Sequence, residues 1–375
     1  MALPAALLPW LLGSAAAALT GYGAKKGYDG YQDKSKANEL VQQAEHDYQQ
    51  AKKRLDSTNK TTEAKMELLG SLQLQIGQEF KEFEKLAEEL LQKLKKSSDR
   101  KDWQLSIPQH KLDGIKQLEI STTAFLAHIA GGGVAGAAAA YATYGGVMAL
   151  ASASTGTSIA TLSGIVAHNA TMAAIGGGAV SAGGLGMAGG SAILGGIVAA
   201  PVVAALGWAY ANHAEKALAN ARKTEKQARE IVEKIDMANL QSHRIREYAE
   251  KIYSETSRIH DVFMAYFGKL KEMHQLLVSP ELNDSQKEER IKDLDDSIMT
   301  NINNGYMLAA ILTDIITTPL FKVKKDKNGK VLLGKDNAME FEEDSHGNKI
   351  INTEGIALSL QNADAKMKKV PAISE

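Results

Sequence analysis

The chain has 375 residues, a length that usually corresponds to two or three domains. Its 43 Lys and Arg residues nearly balance its 44 Asp and Glu residues, so the net charge favours neither nucleic acid nor an acidic surface as partner. The absence of cysteine excludes disulfides, thiolate metal sites and cysteine nucleophiles. With only 7 Pro, and with Ala, Leu, Glu and Lys abundant, the composition predicts a mostly α-helical protein.

Residues 1–24 form a hydrophobic N-terminal segment without charged side chains. Pro4 and Pro9 interrupt its first turns, and the roughly 15 residues that follow Pro9 are short for a membrane span. No basic residue precedes the apolar run, so we expect no secretory signal peptide. The segment is interpreted as an interfacial or packed hydrophobic helix. A membrane anchor flanked by Lys25 and Lys26 on the cytoplasmic side is the alternative.

Residues 25–119 carry the pattern of long amphipathic helices. Between 31 and 96 the apolar or small residues are spaced by three, four and seven, which places them on one face of a helix. This face consists of Ala37, Val41, Ala44, Tyr48, Ala51, Leu55, Met66, Leu69, Ile76, Phe80, Phe83, Leu90 and Leu94. At about 1.5 Å per residue, roughly 65 helical residues would extend about 100 Å, so this helix needs an equally long partner.

The partner is predicted within residues 215–319, a region of one long return helix and one shorter helix. A second apolar stripe runs over 213–278 and matches the first in length. Because an uncharged stretch lies between the two stripes, we expect the long helices to pack antiparallel, with that stretch at one tip. Leu94 should then lie closer to Ile231 than to Leu270.

The C-terminal region changes character after Pro319, which ends the shorter helix. Residues 320–375 contain two short alternating runs that flank an Asn-Gly pair. This pattern predicts a small β-hairpin appendage, and the last residues are expected to form a loose tail.

The 95 residues from 120 to 214 contain no Asp, Glu, Lys or Arg, and 18 of the 33 glycines fall between 131 and 200. An ordinary water-soluble domain does not leave such a stretch uncharged, so we predict a Gly/Ala-rich membrane-inserting element over 120–214. Its small residues favour conditional insertion, with permanent spanning or burial within the protein as the alternatives. Three apolar stretches within it have the length of a spanning helix: 123–151, 157–179 and 187–211.

Glycines four residues apart occur twice in this element, at Gly132 and Gly136 and at Gly186 and Gly190. Such spacing forms a flat groove that lets helices approach closely in a membrane. We therefore predict these four glycines as the residues of membrane insertion and helix packing.

Three histidines, His128, His168 and His213, are the candidate pH-sensitive residues of the element. Protonation at about pH 6.5 would charge an otherwise neutral segment and could control its insertion. The alternative is a hydrogen-bonded histidine at a helix end or in the interior.

The sequence contains no motif that supports an enzyme. Residues 329–335 read GKVLLGK and resemble a P-loop, but Asp336 stands where the magnesium-binding Ser or Thr is required. His243, His260 and His274 lack the spacing of metal ligands and are expected on a solvated helix face. We therefore predict a non-enzymatic protein with no catalytic, cofactor-binding or metal-binding residues and no cofactor.

This arrangement resembles that of α-helical membrane-inserting, pore-forming proteins. Long amphipathic helices that flank one hydrophobic element, here over about 31–278, are similar to the plan of toxins of the cytolysin A and haemolysin BL type. The apolipoprotein L family has a similar plan. The Gly/Ala-rich run over 154–201 resembles a block that recurs in poorly characterised bacterial proteins. The resemblance implies insertion, oligomerisation and membrane permeabilisation, although the C-terminal hairpin appendage is not part of the toxin plan.

The sequence thus predicts an elongated antiparallel helical bundle or coiled coil with an insertion element and a β-hairpin appendage. The predicted function is to insert into a bilayer, oligomerise and permeabilise it, as a toxin or as a cell-autonomous defence or growth-arrest effector. A membrane-anchored coiled-coil scaffold or signalling protein is the alternative. The expected partners are a lipid bilayer and further copies of the chain, or a second protein component, and no nucleic acid. The expected location is the cytoplasm and then a membrane, which in a bacterium is the inner membrane; secretion without a signal is the alternative.

Overall fold

The computed structural model describes residues 24–97, 105–129, 138–139, 141–143, 217–278, 282–327, 329, 331–332, 340–345 and 349–371. Its principal helices are Ala24–Ser97 (α1), Gln109–Ile129 (α2), Ala217–Val278 (α3), Asp284–Ile316 (α4) and Thr353–Met367 (α5). Most of the described residues are helical and none of them forms a sheet. This confirms the predicted mostly α fold class.

The chain divides into two compact units, and α1 and α3 each contribute to both. The N-terminal unit comprises Met1–Ala51 and Ala199–Glu233, and the main unit comprises Lys52–Val198 and Lys234–Glu375. The described buried residues of the N-terminal unit are mostly small: Ala37, Ala44, Tyr48, Ala51, Ala221, Thr224 and Ala228. Since alanine buries little apolar area, the helices of this unit gain little from each buried position.

In the main unit α1 and α3 bury residues with a seven-residue repeat. On α3 these residues are Ile235, Ser242, Ala249, Thr256, Phe263, Leu270 and Leu277. On α1 they are Thr62, Leu69, Ile76, Phe83 and Leu90. A repeat of about 3.5 residues per turn keeps the same face toward a partner over many turns, as in a coiled coil. The repeat explains how two helices of this length stay paired.

The two long helices run parallel in the main unit. The hydroxyl of Thr62 donates to the carbonyl oxygen of Ser242 at 3.1 Å. Farther along both helices, Oε2 of Glu89 lies 3.3 Å from Nε2 of His274. The residue numbers of the contacting partners increase together along the two helices. The prediction of an antiparallel pair is therefore wrong.

The reason for the parallel direction is that α2, and not the long helix α3 as predicted, runs back along α1. Nζ of Lys116 lies 2.6 Å from Oε2 of Glu84. Later in the chain, the amide of Ala139 donates to the carboxylate of Glu67 at 3.1 Å. The chain therefore runs back along α1 at least as far as Ala139, and α3 then follows the direction of α1.

The fourth helix, α4, completes the core of the main unit. Asn303 accepts a hydrogen bond from the amide of Ser106 at 2.9 Å, and Asp314 lies 2.5 Å from Nζ of Lys111, so α4 packs against α2 and the residues just before it. At the centre of the core, aromatic rings meet edge to face with centroids 4.9 to 5.7 Å apart. These rings belong to Phe80, Phe83, Phe263, Phe267 and Tyr306.

The region after α4 is less regular than predicted. Four isolated antiparallel bridges join its segments: Phe321–Ile351, Val323–Phe341, Lys325–Val331 and Glu343–Lys349. Because these bridges are isolated and form no sheet among the described residues, the predicted β-hairpin appendage is not confirmed. Phe321 and Phe341 pack edge to face at 5.8 Å and belong to the main core cluster, which fixes this region to the helices.

The expected loose C-terminal tail contains a helix instead. The side chain of Asn352 accepts from the amide of Gly355 and caps α5 at its start. Ile356 and Ala363 are buried, and Lys366 lies 2.7 Å from Asp314 of α4. An N-cap and two buried residues on one face explain why this segment is helical.

Candidate functional site: the docked start of the charge-free segment

The charge-free segment, residues 120–214, begins inside α2. Its described residues are 120–129, 138–139 and 141–143. Among them, Thr122, Ala138 and Ala139 contact α1 directly. The candidate site is therefore built from this part of the predicted insertion element and the helix that it contacts.

The structure overturns the expectation of transmembrane helices and of a pore-forming protein. Within the described ranges, no helix is both long and apolar enough to cross a bilayer. The long helices α1 and α3 carry charges throughout, and α2 carries four charged residues in its first eleven positions. Those of α2 are Lys111, Asp113, Lys116 and Glu119.

Two glycines of α1, Gly70 and Gly77, form the surface on which the segment lies. A Cβ atom at Gly77 would come within 2.2 Å of the hydroxyl oxygen of Thr122. One at Gly70 would come within 1.7 Å of the carbonyl oxygen of Ala138. The segment therefore approaches α1 more closely than any larger residue at these two positions would allow. Their seven-residue spacing puts both on one face of α1.

Tyr141 anchors the segment through its ring and its hydroxyl. The hydroxyl lies 2.7 Å from that of Thr122, and the two side chains are 1% and 0% exposed. The ring packs edge to face on Phe125 with centroids 5.1 Å apart. Burial raises the pKa of Tyr141, so its hydroxyl stays protonated and able to donate. The ring of Tyr141 forms a small apolar cluster with Leu74 and Ala138.

Glu67 of α1 holds the backbone of the segment. Its carboxylate accepts the N–H of Ala139 at 3.1 Å. Residues 138–139 and 141–143 are helical, and the hydroxyl of Thr143 donates to the carbonyl oxygen of Ala139 at 3.0 Å. A hydrogen bond to a charged acceptor is stronger than a neutral one, so Glu67 fixes this helical stretch to α1.

Lys116 lies between two carboxylates just before the segment begins. Its Nζ is 2.6 Å from Oε2 of Glu84 on α1 and 2.7 Å from Oε2 of Glu119 on α2. Burial raises the pKa of Glu84; Lys116 opposes the rise, and the neighbouring Glu119 adds to it. The two carboxylates in turn raise the pKa of Lys116. One ammonium thus joins two carboxylates and ties the first half of α2 to α1.

A buried histidine–carboxylate pair lies on the other side of α1, in the contact with α3. Nε2 of His260 is 2.5 Å from Oε2 of Glu79, and the side chains are 8% and 15% exposed. Burial raises the pKa of Glu79, but the hydrogen bonds from His260 and Gln75 outweigh it and leave the pKa lowered. The interpretation of His260 as a solvated residue is wrong. Polar groups buried between paired helices favour the one register that pairs them.

Most of the residues predicted as functional lie outside the described residues: Gly132, Gly136, Gly186, Gly190, His168 and His213. His128 lies in the last turn of α2. The roles of these residues in packing and pH sensing stay predictions. Gly70, Gly77 and Tyr141 are not among the residues predicted from the sequence. The sequence does contain one sign of them, a pair of glycines seven residues apart within the long amphipathic helix.

The part of the chain that the structure describes has no group of three or more His, Asp or Glu residues that could hold a metal ion. A scan against protein-family models, a search of curated proteins and a search of solved structures find no match to this chain.

Proposed function

We propose that this protein is a non-enzymatic, bilayer-associating protein whose charge-free segment contacts lipid. The main unit holds the start of the segment, and the residues that follow meet the bilayer. One observation carries the proposal. The 95 residues without Asp, Glu, Lys or Arg continue directly from a helix that is docked on α1.

The physical support is the cost of leaving such a segment in water. Apolar surface moved out of water contributes about 25 cal/mol for each Å². A charged side chain in the bilayer centre would oppose the transfer by about 2.5–3.5 kcal/mol, and this segment has none over 95 residues. Its histidines can enter uncharged. A lipid surface is therefore a partner of matching chemistry.

The experiment measures flotation of the full chain with lipid vesicles. The variant carries Ile165→Lys and Ile175→Lys, which place two charges in the charge-free segment. We expect the parent to float with the vesicles and the variant to lose at least about tenfold in bound fraction, because each lysine opposes transfer into hydrocarbon.

The matched control places the same substitution on exposed apolar residues of the helices. Leu240→Lys and Leu358→Lys alter side chains that are 54% and 58% exposed. They should leave both folding and vesicle binding unchanged. Equal flotation of the segment variant and the parent would contradict the proposal, as would a parent that does not float.

A second candidate function is a coiled-coil scaffold or signalling protein that the same segment keeps at a membrane permanently. The seven-residue repeat of α1 and α3 favours it, since long paired helices are typical of spacers and scaffolds. The two functions differ in whether a stable bilayer-free form exists. Purification without detergent, followed by binding to added vesicles, would favour the first.

Further copies of the chain, or a second protein component, are proposed as partners on the bilayer. The proposed route runs from the cytoplasm to a membrane. Self-association there would use the paired glycines of the segment, Gly132 with Gly136 and Gly186 with Gly190.

A further inference from the structure

We infer that the contact between α1 and the start of the charge-free segment is an autoinhibitory latch. While it is closed, the segment is held on α1; when it opens, the segment can reach the bilayer. The inference rests on the proposed function and adds its regulation. The latch consists of Glu67, Gly70 and Gly77 on α1 and of Thr122, Ala138, Ala139 and Tyr141 on the segment.

The latch is built around a small apolar cluster of its own, and only its edge, at Ala139, packs against the main core cluster. Leu74, Ala138 and Tyr141 form a cluster of their own. The large buried residues at the contact of α1, α3 and α4, such as Phe83 and Phe263, belong to another and much larger cluster. Loss of the small cluster leaves that core in place.

The polar bonds of the latch can be replaced after it opens. Thr122 and Tyr141 bond each other through hydroxyl groups, and Ala139 bonds Glu67 through its amide. Hydroxyl groups that reach the surface exchange each lost partner for water. Tyrosine is also enriched at the membrane–water interface. Opening therefore leaves no polar group of these residues buried without a partner.

The ion pairs of Lys116 with Glu84 and Glu119 define where the moving part begins. They hold the first half of α2 on α1, ahead of Thr122. The latch residues lie beyond this point in the chain. Opening thus frees the segment from residue 122 onward, which includes the last two turns of α2, while the first half of α2 stays attached at Lys116.

The closed latch depends on glycine at two positions of α1, and this gives the test. In Gly70→Ala with Gly77→Ala, each new Cβ would meet the segment at 1.7 and 2.2 Å, which is too short for any contact. The matched control is Gly268→Ala, also in a long helix, where a Cβ meets nothing within 4 Å. Each substitution is from Gly to Ala within a long helix, so the control shows the effect of one such change where the new methyl group meets nothing.

The opening of the latch is measured without lipid. The chain has no cysteine, so Ala138→Cys, at a site 7% exposed, serves as a reporter for maleimide labelling. We expect the double alanine variant to label at least about tenfold faster than the reporter alone, because a buried thiol reacts only when its site opens. The Gly268→Ala control should label at the rate of the reporter alone.

Bilayer association is then measured for the same proteins by flotation with phosphatidylcholine–phosphatidylglycerol vesicles. The double alanine variant should bind faster and to a greater extent than the control. Tyr141→Phe, which keeps the ring and removes the hydroxyl, should shift labelling and binding in the same direction by a smaller factor. It serves as the second variant in case the double variant does not fold.

The outcomes separate the inference from the function on which it rests. Faster labelling with unchanged vesicle binding would overturn the latch and leave bilayer association standing. Unchanged labelling in both the double variant and Tyr141→Phe would overturn the latch as well. If the double variant labels faster but none of the proteins binds vesicles, the parent included, the proposed function is overturned.

Discussion

The two faces of α1 in the main unit are built from different residues. Toward α3 the helix presents large buried side chains, among them Phe80 and Phe83, together with the buried Glu79–His260 pair. Toward the charge-free segment it presents Gly70 and Gly77. The first face removes much apolar area from water, whereas the second brings backbones together and buries little side-chain area.

This difference indicates which contact is permanent. Apolar area sets most of the free energy of a helix contact, so the α3 face dominates the stability of the main unit. Close glycine contacts gain dispersion energy only while the fit is kept, and a small displacement loses most of it. The same helix thus has one face suited to stable folding and one suited to release.

The largest effect is expected on the α3 face. Phe83→Ala removes a ring that contacts Phe263, Phe267 and Tyr306, and should lower the free energy of unfolding by about 3–5 kcal/mol. Chemical denaturation measures this loss. Leu240→Ala, at an exposed position of α3, is the control and should change the free energy by less than about 0.5 kcal/mol. A loss below about 1 kcal/mol at Phe83 would remove the distinction between the two faces.

A smaller effect is expected at the buried pair. Glu79→Gln weakens the hydrogen bond with His260 and should cost about 1–3 kcal/mol at neutral pH. Because folding lowers the pKa of Glu79 from its ordinary 4.5, the carboxylate stabilises the fold fully above that value. The stabilisation is lost as the pH falls through the lowered pKa. Denaturation of parent and variant at about pH 7 and about pH 3 should show a difference that shrinks in acid. A constant difference would contradict this role.

The smallest effect is expected beside the segment, and with the opposite pH dependence. Folding raises the pKa of Glu84, chiefly through burial, so its ionised form opposes folding above the ordinary value of 4.5. Glu84→Gln removes this cost and also loses the attraction to Lys116. The net change should stay within about 1 kcal/mol, and the variant should compare more favourably with the parent at neutral pH than in acid. A variant that becomes relatively more stable in acid would reverse the sign and contradict the assignment.

The helices themselves could be predicted from the sequence, but their directions could not. The spacing of residues such as Leu69, Ile76 and Leu90 identifies one face of a helix, and the structure buries that face. The same spacing arises whether the partner helix runs parallel or antiparallel, so the pattern does not determine the direction of the partner helix. The direction depends on the return path, which includes uncharged residues whose composition predicts a membrane-inserting element.

The docking contact could not be predicted for a related reason. In the sequence Gly70 and Gly77 are only weak helix formers within a long amphipathic helix. Their partners, Ala138 and Thr122, lie far along the chain in a stretch whose composition indicates lipid contact. The helix α5 was missed because its pattern is short, with Ile356 and Ala363 as its buried residues.

The parallel direction of α1 and α3 also fixes the order in which α1 can find its partners during synthesis. Glu84 of α1 meets Lys116 of α2 across a separation of 32 residues. Thr62 meets Ser242 of α3 across 180 residues, so that contact must wait for most of the chain. At about 5–20 residues per second, the wait is roughly 10–40 seconds. Over that time the aromatic face of a growing α1 is without its partner, while its glycine face can already be covered.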